Sequence, residues 1–409
     1  MDWILRAQQL ADAAAHNRPR GNLSDLYPRW LGARELLRHG RNPYSAEITR
    51  EIQQGYYGRP LDASRADDPK DKQAFAYPAY VVFLMAPTTD LPFNTVQLGF
   101  RWLLAGLAVA SVLLWLYVLR WKPAWEITMI FVVLTLGWFP MVQGMKLQQL
   151  SLLVAGLLAG SAACLVSGWF LLAGGLLALA TIKPQLAWPL TLWLLVWAGS
   201  DWRSRRRFVF AFSIAMLLLL GGAQLILPGW LPMFVAGLGQ YRQYTQSQSV
   251  LTSLFGIVLG RIVVAACVLA SATCVWRLRR KAASSAGFGQ ALGFILALTV
   301  VIVPMYAPYN QVLLIPAILT LLRSDISGEP VLPAIRRARA VGCFVLVWAW
   351  IATMALAVFY PWMTPQLRQR LWPLPLYSSF MVPVFVFGLA LLNTWRSEAD
   401  CLPHSAAAE

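Results

Sequence analysis

The sequence predicts an all-α protein that crosses a membrane many times. Of its 409 residues, 58% are hydrophobic and only 13% are charged, far fewer charges than a soluble domain carries. Apolar runs follow one another from Phe100 to Trp395, with short polar breaks between them. Because lipid offers no partner to an unpaired backbone group, runs of this length must form a helical bundle.

The apolar runs predict about eleven membrane crossings, or twelve if a first spanning helix is missing. A crossing needs about 20 apolar residues, and fewer where neighbouring helices bury it. The predicted crossings are 97–119, 127–143, 148–166, 169–183, 185–200, 208–228, 256–276, 289–305, 309–323, 341–360 and 376–394. The stretch from Met1 to Pro28 lacks the apolar core of a signal peptide. We therefore expect either that WILRAQQLADAAA lies along the membrane interface or that a spanning helix precedes Met1.

The distribution of charge predicts the orientation. The segments 202–207, 277–281 and 336–339 are strongly basic and fall at every second turn, whereas the intervening turns carry isolated cations. By the positive-inside pattern these three segments are cytoplasmic. Residues 1–96 then form an outer, periplasmic segment, residues 97–395 the transmembrane bundle and residues 396–409 a cytoplasmic tail. The same basic segments account for the net charge of +16, so no nucleic-acid partner is expected.

The outer segment holds three predicted features. Ser24 or Asp25 is expected to cap a helix that runs to about Arg38 and ends at Gly40. Residues 45–73 have the glycines, prolines and charges of a surface loop. The apolar stretch 76–87 is about half the length of a crossing, which indicates a re-entrant half-helix. The remaining acids of this segment are interpreted as solvated surface charge: Glu47, Glu51, Asp62, Asp67, Asp68 and Asp71.

No metal site or cofactor is predicted. The five cysteines form no Cys-x-x-Cys pair, and the three histidines are too few for a histidine-based metal centre. Position 27 is Tyr, so Asp25 has no second aspartate at Asp-x-Asp spacing to hold a divalent ion. We expect activity that needs no metal.

Several motifs, in order along residues 22–325, resemble one family. SDLYPRWLGARELLRHGRNPYS is similar to an Asp-x-x-x-Tyr/Trp segment followed by Ala-Arg-x-Leu-Leu-x-x-Gly-x-x-Pro-Tyr. FAYPAYVVFLMAP resembles a Tyr-Pro-Pro-Leu half-helix. LQQLSLLVAGLLAG resembles a Gly-Gln-x-x-x-Leu-Leu helix start in which Leu147-Gln148 replaces the glycine, and LATIKPQ resembles an Ile-Lys-Pro-Gln helix end. TQSQSVLTSLFGIV and VPMYAPYNQVLLIPAILTLL resemble two further family segments.

The family that these motifs resemble is that of the polyprenyl-phosphate-mannose-dependent mannosyltransferases, within the C-type (GT-C) superfamily of integral membrane glycosyltransferases. The resemblance implies transfer of a hexose, with mannose favoured, from a polyprenyl-phosphate-linked donor. The acceptor would be a lipid or a glycan at the outer face of the inner (cell) membrane.

The resemblance makes Asp25 the catalytic carboxylate. Phosphate is already a good leaving group, so a single general base suffices to take the proton of the acceptor hydroxyl, and the transfer would be inverting. The alternative is a plain helix N-cap, a position that favours Asp by about 1 kcal/mol.

The donor phosphate needs cations or hydrogen-bond donors. Lys183, at the end of an apolar helix, is the first candidate, with Arg29 and Arg242 behind it; the alternative for Lys183 is snorkelling to the interface. Arg261 lies inside an apolar run and is expected to face the bundle interior, as a site residue or in an ion pair. Six residues are candidates for the sugar and acceptor pocket, although aromatic residues at helix ends are often interface anchors: Tyr44, Tyr77, Gln149, Gln185, Tyr306 and Asn310.

Two other classes of function remain open from the sequence. A transporter or flippase of lipid-linked sugars would usually show two similar halves, and no half repeat is visible here. A non-catalytic membrane protein of envelope assembly is the second alternative, in which the carboxylate has lost its role.

Reporter fusions test the orientation. We expect a reporter that is active only in the periplasm to be silent when it is fused after Arg207 or after Glu409. The basic segments predict that both positions are cytoplasmic. The matched positive control is the same reporter inserted after Pro92, in the outer segment, with the rest of the chain kept behind it. Periplasmic activity at either of the first two positions would contradict the assignment.

Overall fold

The structure is a computed structural model that describes residues 24–62, 64–65, 68–69, 71–245, 248–304, 306–326, 333–371 and 373–399. Within these ranges the secondary structure is helical and no strand is present. The predicted N-terminal interfacial helix, Asp67 and most of the predicted cytoplasmic tail lie outside the described residues.

Eighteen α-helices occur in the described part of the chain, together with short 3-10 turns. They are α1 Tyr27–His39, α2 Ala46–Tyr57, α3 Val81–Met85, α4 Phe93–Val118, α5 Trp125–Gly137, α6 Phe139–Leu147, α7 Leu150–Val166, α8 Phe170–Ala180, α9 Pro184–Gly199, α10 Trp202–Ile226, α11 Trp230–Thr245, α12 Val250–Phe255, α13 Ile257–Leu278, α14 Ala286–Ile302, α15 Ile315–Ile326, α16 Pro333–Phe359, α17 Pro365–Leu371 and α18 Met381–Ala399.

Five helices are long and apolar enough to cross a membrane: Phe93–Val118, Trp202–Ile226, Ile257–Leu278, Arg336–Trp362 and Leu374–Asn393. A sixth crossing is possible if α5 and α6, which meet at a bend of 54°, form one span. The protein is therefore a helical membrane protein.

The predicted count of eleven crossings goes beyond these five or six helices. The difference lies in apolar helices that are short, such as Phe170–Ala180 with 11 residues and Ala286–Ile302 with 17. At 1.5 Å per residue, an 11-residue helix is about 16 Å long, roughly half the hydrocarbon thickness. Eleven crossings remain a prediction.

The chain divides into two compact units. Unit 1 comprises Met1–Ala105, Gly144–Leu150 and Ile214–Ser247; unit 2 comprises Gly106–Gln143, Ser151–Ser213 and Gln248–Glu409. The two units are defined by contacts within the chain and carry no information on the side of the membrane. The predicted assignment of segments to the outer face, the bundle and the cytoplasm therefore remains a prediction.

Helix α1 corrects one expectation and fulfils another. Its N-cap is Leu26, with no side-chain cap hydrogen bond, so neither Ser24 nor Asp25 has the capping role expected of it. Pro28 lies in the first turn, where a missing N–H costs nothing. At the other end Gly40 takes the left-handed conformation (φ 64°) and its N–H bonds to the last turn, the usual helix stop.

The loop predicted at 45–73 is wrong for its first half. Ala46–Tyr57 forms α2, and the Ser45 side chain caps it by accepting a hydrogen bond from the N–H of Ile48. Ile48, Ile52 and Tyr56 are buried at a spacing of four residues. That period places them on one face of a helix. The charged residues between them make the helical period hard to recognise in the sequence.

The predicted half-helix is shorter than the stretch 76–87. Helix α3 has five residues, Val81–Met85, and continues as a 3-10 turn over Ala86–Thr88. The indole of Trp30 donates to the carbonyl of Thr88 at 3.1 Å, which holds this turn against α1. Re-entry into a bilayer remains a prediction.

Unit 2 is built around α14. Its side chains are buried on all sides from Phe288 to Val301, except at Gln290 and with Leu298 at the edge of burial, as expected for a helix that is apolar all round. Helices α9, α13, α15 and α18 pack against it. Phe288 contacts the rings of Trp193 and Trp197.

Two of the three basic segments lie in helices rather than loops. Residues 202–207 open α10 and 336–339 lie near the start of α16, whereas 277–281 run from the last residues of α13 into the turn after it. Arg205 is buried and donates to the carbonyls of Trp197 and Lys281 at 2.6 and 3.2 Å. It therefore joins the start of α10 to the end of α13.

A close contact at Gly32 provides a test of unit 1. A methyl group there would overlap the ring of Phe75, which is only 2% exposed. We expect Gly32→Ala to lower stability by about 1–3 kcal/mol, because overpacking a filled core forces neighbours to move. The apparent midpoint of thermal unfolding in detergent measures it.

Gly99→Ala is the matched control, since Gly99 also lies inside a helix but has open space where the methyl group would go. Alanine is the better helix former, so this variant should be unchanged or slightly more stable. Equal behaviour of both variants would contradict the packing described for α1.

Candidate functional site

Asp25 is held by the turn between α6 and α7. Its backbone N–H donates to the carbonyl of Leu147 at 2.8 Å, and the side-chain amide of Gln149 donates to its carboxylate. The hydroxyl of Tyr56 donates to the other carboxylate oxygen at 3.5 Å, the long limit of a hydrogen bond. The carboxylate is half-buried, and the neutral side chains of Gln149 and Tyr56 both donate to it.

Gln148 shapes this turn with a left-handed backbone (φ 52°). A non-glycine residue pays about 1–2 kcal/mol for that conformation. The side chain is 1% exposed and forms two bonds: it accepts from the Ser24 hydroxyl and donates to the carbonyl of Gln97. Ser24 and Asp25 are thus both fastened to the same turn.

Three phenol groups surround the carboxylate. Burial, followed by the charge of Asp25, raises the pKa of Tyr56. Burial, followed by the charge of Asp71, raises the pKa of Tyr57 and of Tyr241, and Asp25 contributes to both. All three hydroxyls therefore stay protonated at neutral pH, and those of Tyr56 and Tyr57 donate to the Asp25 carboxylate and the Asp71 carbonyl.

Asp71 belongs to this cluster and is not simply surface charge, contrary to the expectation. It is half-buried, and its carboxylate accepts from the backbone and side chain of Gln73 at 3.1 and 3.0 Å. The hydroxyl of Tyr57 donates to its carbonyl at 2.7 Å. Asp68 also departs from the expectation, because its side chain is 6% exposed and pairs with Arg59.

Arg29 and Tyr77 complete the group in unit 1. Arg29 donates to the carbonyl of Asp25, one turn earlier in the chain, and its guanidinium lies 4.4 Å from the ring centre of Tyr77. Tyr44 donates to the carbonyl of Tyr77 at 2.6 Å and contacts Phe75 edge-on. Tyr44 therefore braces this segment.

Lys183 lies in unit 2, at the N-cap of α9. It is 6% exposed, and its ammonium donates to the hydroxyl of Ser151 at 2.8 Å. That hydroxyl donates in turn to the side-chain oxygen of Asn310 at 2.8 Å. The ammonium also lies 5.2 Å from the ring centre of Tyr309, within cation–π range.

The other predicted residues have different surroundings. Gln185 is half-buried in the first turn of α9, and Arg242 is exposed on the last turn of α11. Tyr306 donates to the carbonyl of Ser379 and accepts from Gln311 at 2.7 Å, which indicates a structural role. Arg261 is exposed near the start of α13, so the prediction that it faces the interior is wrong for the chain as described.

No group of three or more His, Cys, Asp or Glu side chains in the described part of the chain is arranged to hold a metal ion. Metal independence remains a prediction.

Sequence reasoning missed Tyr56, Tyr57 and Tyr241. The first two were hidden because residues 45–73 read as a loop, and the helical spacing of Ile48 and Ile52 was the signal that could have found them. Tyr241 follows an apolar helix in the sequence as a routine interface aromatic would, so nothing in the sequence marks it.

The long apolar helices define an integral membrane protein. Residues 75–304, more than half of the chain, match the profile of glycosyltransferase family 87. The chain belongs to this family and is a glycosyltransferase. No curated protein matches the chain, and no solved structure matches it.

The matched range contains some of the residues discussed above and leaves out others. Tyr77, Gln149, Lys183, Gln185 and Arg242 lie inside it, whereas Asp25, Arg29, Tyr44, Tyr306 and Asn310 lie outside. Family membership favours a transferase over a transporter or a non-catalytic protein.

Proposed function

We propose that the protein transfers a hexose, with mannose favoured, from a polyprenyl-phosphate-linked donor to a hydroxyl of a lipid or glycan acceptor. The reaction takes place at the outer face of the inner membrane, inverts the anomeric centre, and needs no metal or other cofactor. Membership of glycosyltransferase family 87 supports the reaction class. The sequence motifs support the donor, and the positive-inside pattern supports the side of the membrane.

The observation that carries the proposal is the setting of Asp25. A carboxylate that only capped a helix would accept from backbone N–H groups of its first turn. Here the cap position belongs to Leu26, and the carboxylate accepts from the side chains of Gln149 and Tyr56 instead. Such fixed orientation by other side chains is what a general base requires.

The chemical step balances with Asp25 alone as the base. The acceptor oxygen forms a bond to the anomeric carbon as the bond from that carbon to the phosphate oxygen breaks. The electron pair leaves with the polyprenyl phosphate, and the acceptor proton goes to the Asp25 carboxylate. The neighbouring tyrosine hydroxyls, kept neutral by their raised pKa values, offer oxygen atoms that accept hydrogen bonds from the hydroxyl groups of the sugar or acceptor.

Lys183 is proposed as the cation that binds the donor phosphate. A buried ammonium is expensive to maintain, and its orientation by Ser151 and Asn310 suits a residue that must meet a charged ligand. Arg29 and Arg242 are the secondary candidates. Tyr77, Gln185 and Asn310 are proposed for the sugar and acceptor pocket. The other three pocket candidates, Tyr44, Gln149 and Tyr306, are proposed to hold the protein's own backbone or carboxylate.

Asp25→Asn tests the base. Asn keeps the shape of the side chain but cannot accept the proton, so we expect turnover to fall by about 10²–10⁴-fold while the protein stays folded. The measurement is transfer of radiolabelled mannose from polyprenyl-phosphate-mannose into an acceptor fraction extracted from the source membranes.

Asp90→Asn is the matched control. Asp90 pairs with Arg38 at an exposed site, and such pairs contribute about 0–1 kcal/mol, so its activity should stay near wild type. Activity of Asp25→Asn within a few-fold of wild type, at equal thermal stability, would remove Asp25 from the mechanism.

Lys183 is tested through the affinity for the donor. We expect Lys183→Met to raise KM for the donor at least tenfold, because a charge-assisted bond to phosphate is lost, and Lys183→Arg to retain part of the affinity. Initial rates across donor concentrations give KM and kcat separately.

Lys122→Met, at an exposed lysine, controls for the loss of one positive charge and should leave KM unchanged. An unchanged KM in both Lys183 variants would move the phosphate site elsewhere, and Arg242→Met would be the next variant to measure.

A further inference from the structure

Unit 2 has an open groove beside the start of α8. It encloses about 480 Å³ and is lined by residues 168–172 on one side and by Arg207 of α10 on the other. Trp169 and Leu171 are 65% and 66% exposed. The walls are therefore apolar, and one cation stands at the rim.

The contact between α8 and α10 explains why the groove exists. Gly174 lets the two helices meet at their backbones, since a methyl group there would overlap the carbonyl of Phe208 and the N–H of Phe212. Only a few residues before Gly174, the bulky side chains of Trp169 to Leu172 cannot fit into so close a contact. The space next to Arg207 is left open as a result.

The positive charges around the rim favour an anionic ligand in the groove. Arg203, Arg206 and Arg207 are all exposed in the first turns of α10. The single acid nearby, Asp201, pairs with Arg205 at 3.9 Å and accepts a hydrogen bond from Ser204. An apolar groove with a cationic rim on a membrane-spanning helix matches an amphiphile that has an acyl chain and an anionic head.

We propose that this groove binds an anionic glycerophospholipid. The headgroup phosphate would pair with Arg207, and an acyl chain would lie along Trp169, Leu171 and Leu172. The site is separate from Asp25 and Lys183 in its residues and does not rest on the proposed donor. It would give the enzyme a bound lipid of defined charge.

Native mass spectrometry of the full chain tests the proposal. The purified protein is exchanged into detergent containing equal amounts of dioleoylphosphatidylglycerol and dioleoylphosphatidylcholine, and the bound lipids are counted. We expect preferential retention of phosphatidylglycerol. Arg207→Gln should reduce this preference about fivefold, the value of one cation at an anionic surface.

Two further variants separate a built site from general attraction. Arg206→Gln removes the same charge from a neighbouring residue that does not line the groove, and should change the preference less than twofold. Leu171→Trp keeps every charge but occupies the groove, and should reduce the preference as strongly as Arg207→Gln.

Three outcomes would overturn the proposal. The first is equal losses in Arg206→Gln and Arg207→Gln, which indicates diffuse attraction to the basic segment. The second is no preference for phosphatidylglycerol in the wild type. The third is displacement of the lipid by inorganic phosphate with full effect, which indicates a free-phosphate site without a role for the acyl chain.

Discussion

The position of the Asp25 carboxylate depends on the turn at Leu147 to Gln149. Backbone and side-chain atoms of this turn hold both Ser24 and Asp25, although more than a hundred residues separate the two parts of the chain. Tyr56 reaches the same carboxylate from α2, and Arg29 bonds to the Asp25 carbonyl. Ser24 and Asp25 are therefore positioned by contacts with this turn, and not by capping α1.

Unit 2 meets a different constraint, which is how to keep polar side chains in an apolar interior. A buried polar atom without a partner costs about 1–3 kcal/mol. One group of buried polar side chains is hydrogen-bonded in series, from Lys183 to Ser151 to Asn310. A second buried side chain, Arg205, donates to backbone carbonyls. In the first group the result is a buried ammonium whose hydrogen-bonding need is met by a neutral hydroxyl. In the second it is a link between two helix ends.

The sequence predicted the helical class, because this follows from hydropathy. Short motifs singled out Asp25 and Lys183, and their roles remain predictions. The sequence could not predict the partners of Asp25, since Gln149 and Tyr56 reach it only through the fold. The helix α2 was obscured because its charged residues outweigh a face of only a few apolar side chains. The capping assignment was wrong because proximity to a helix start does not decide which residue has the cap conformation.

The left-handed backbone at Gln148 has a consequence for motion. A glycine at such a turn would act as a hinge, because it moves between backbone regions at little cost. Gln148 instead occupies a strained conformation while its amide grips Ser24 on one side and the Gln97 carbonyl on the other. A backbone rotation at Gln148 requires both of these hydrogen bonds to break, so the turn is rigid. The Asp25 carboxylate, which Gln149 of this turn contacts, should keep its orientation whether or not a substrate is present.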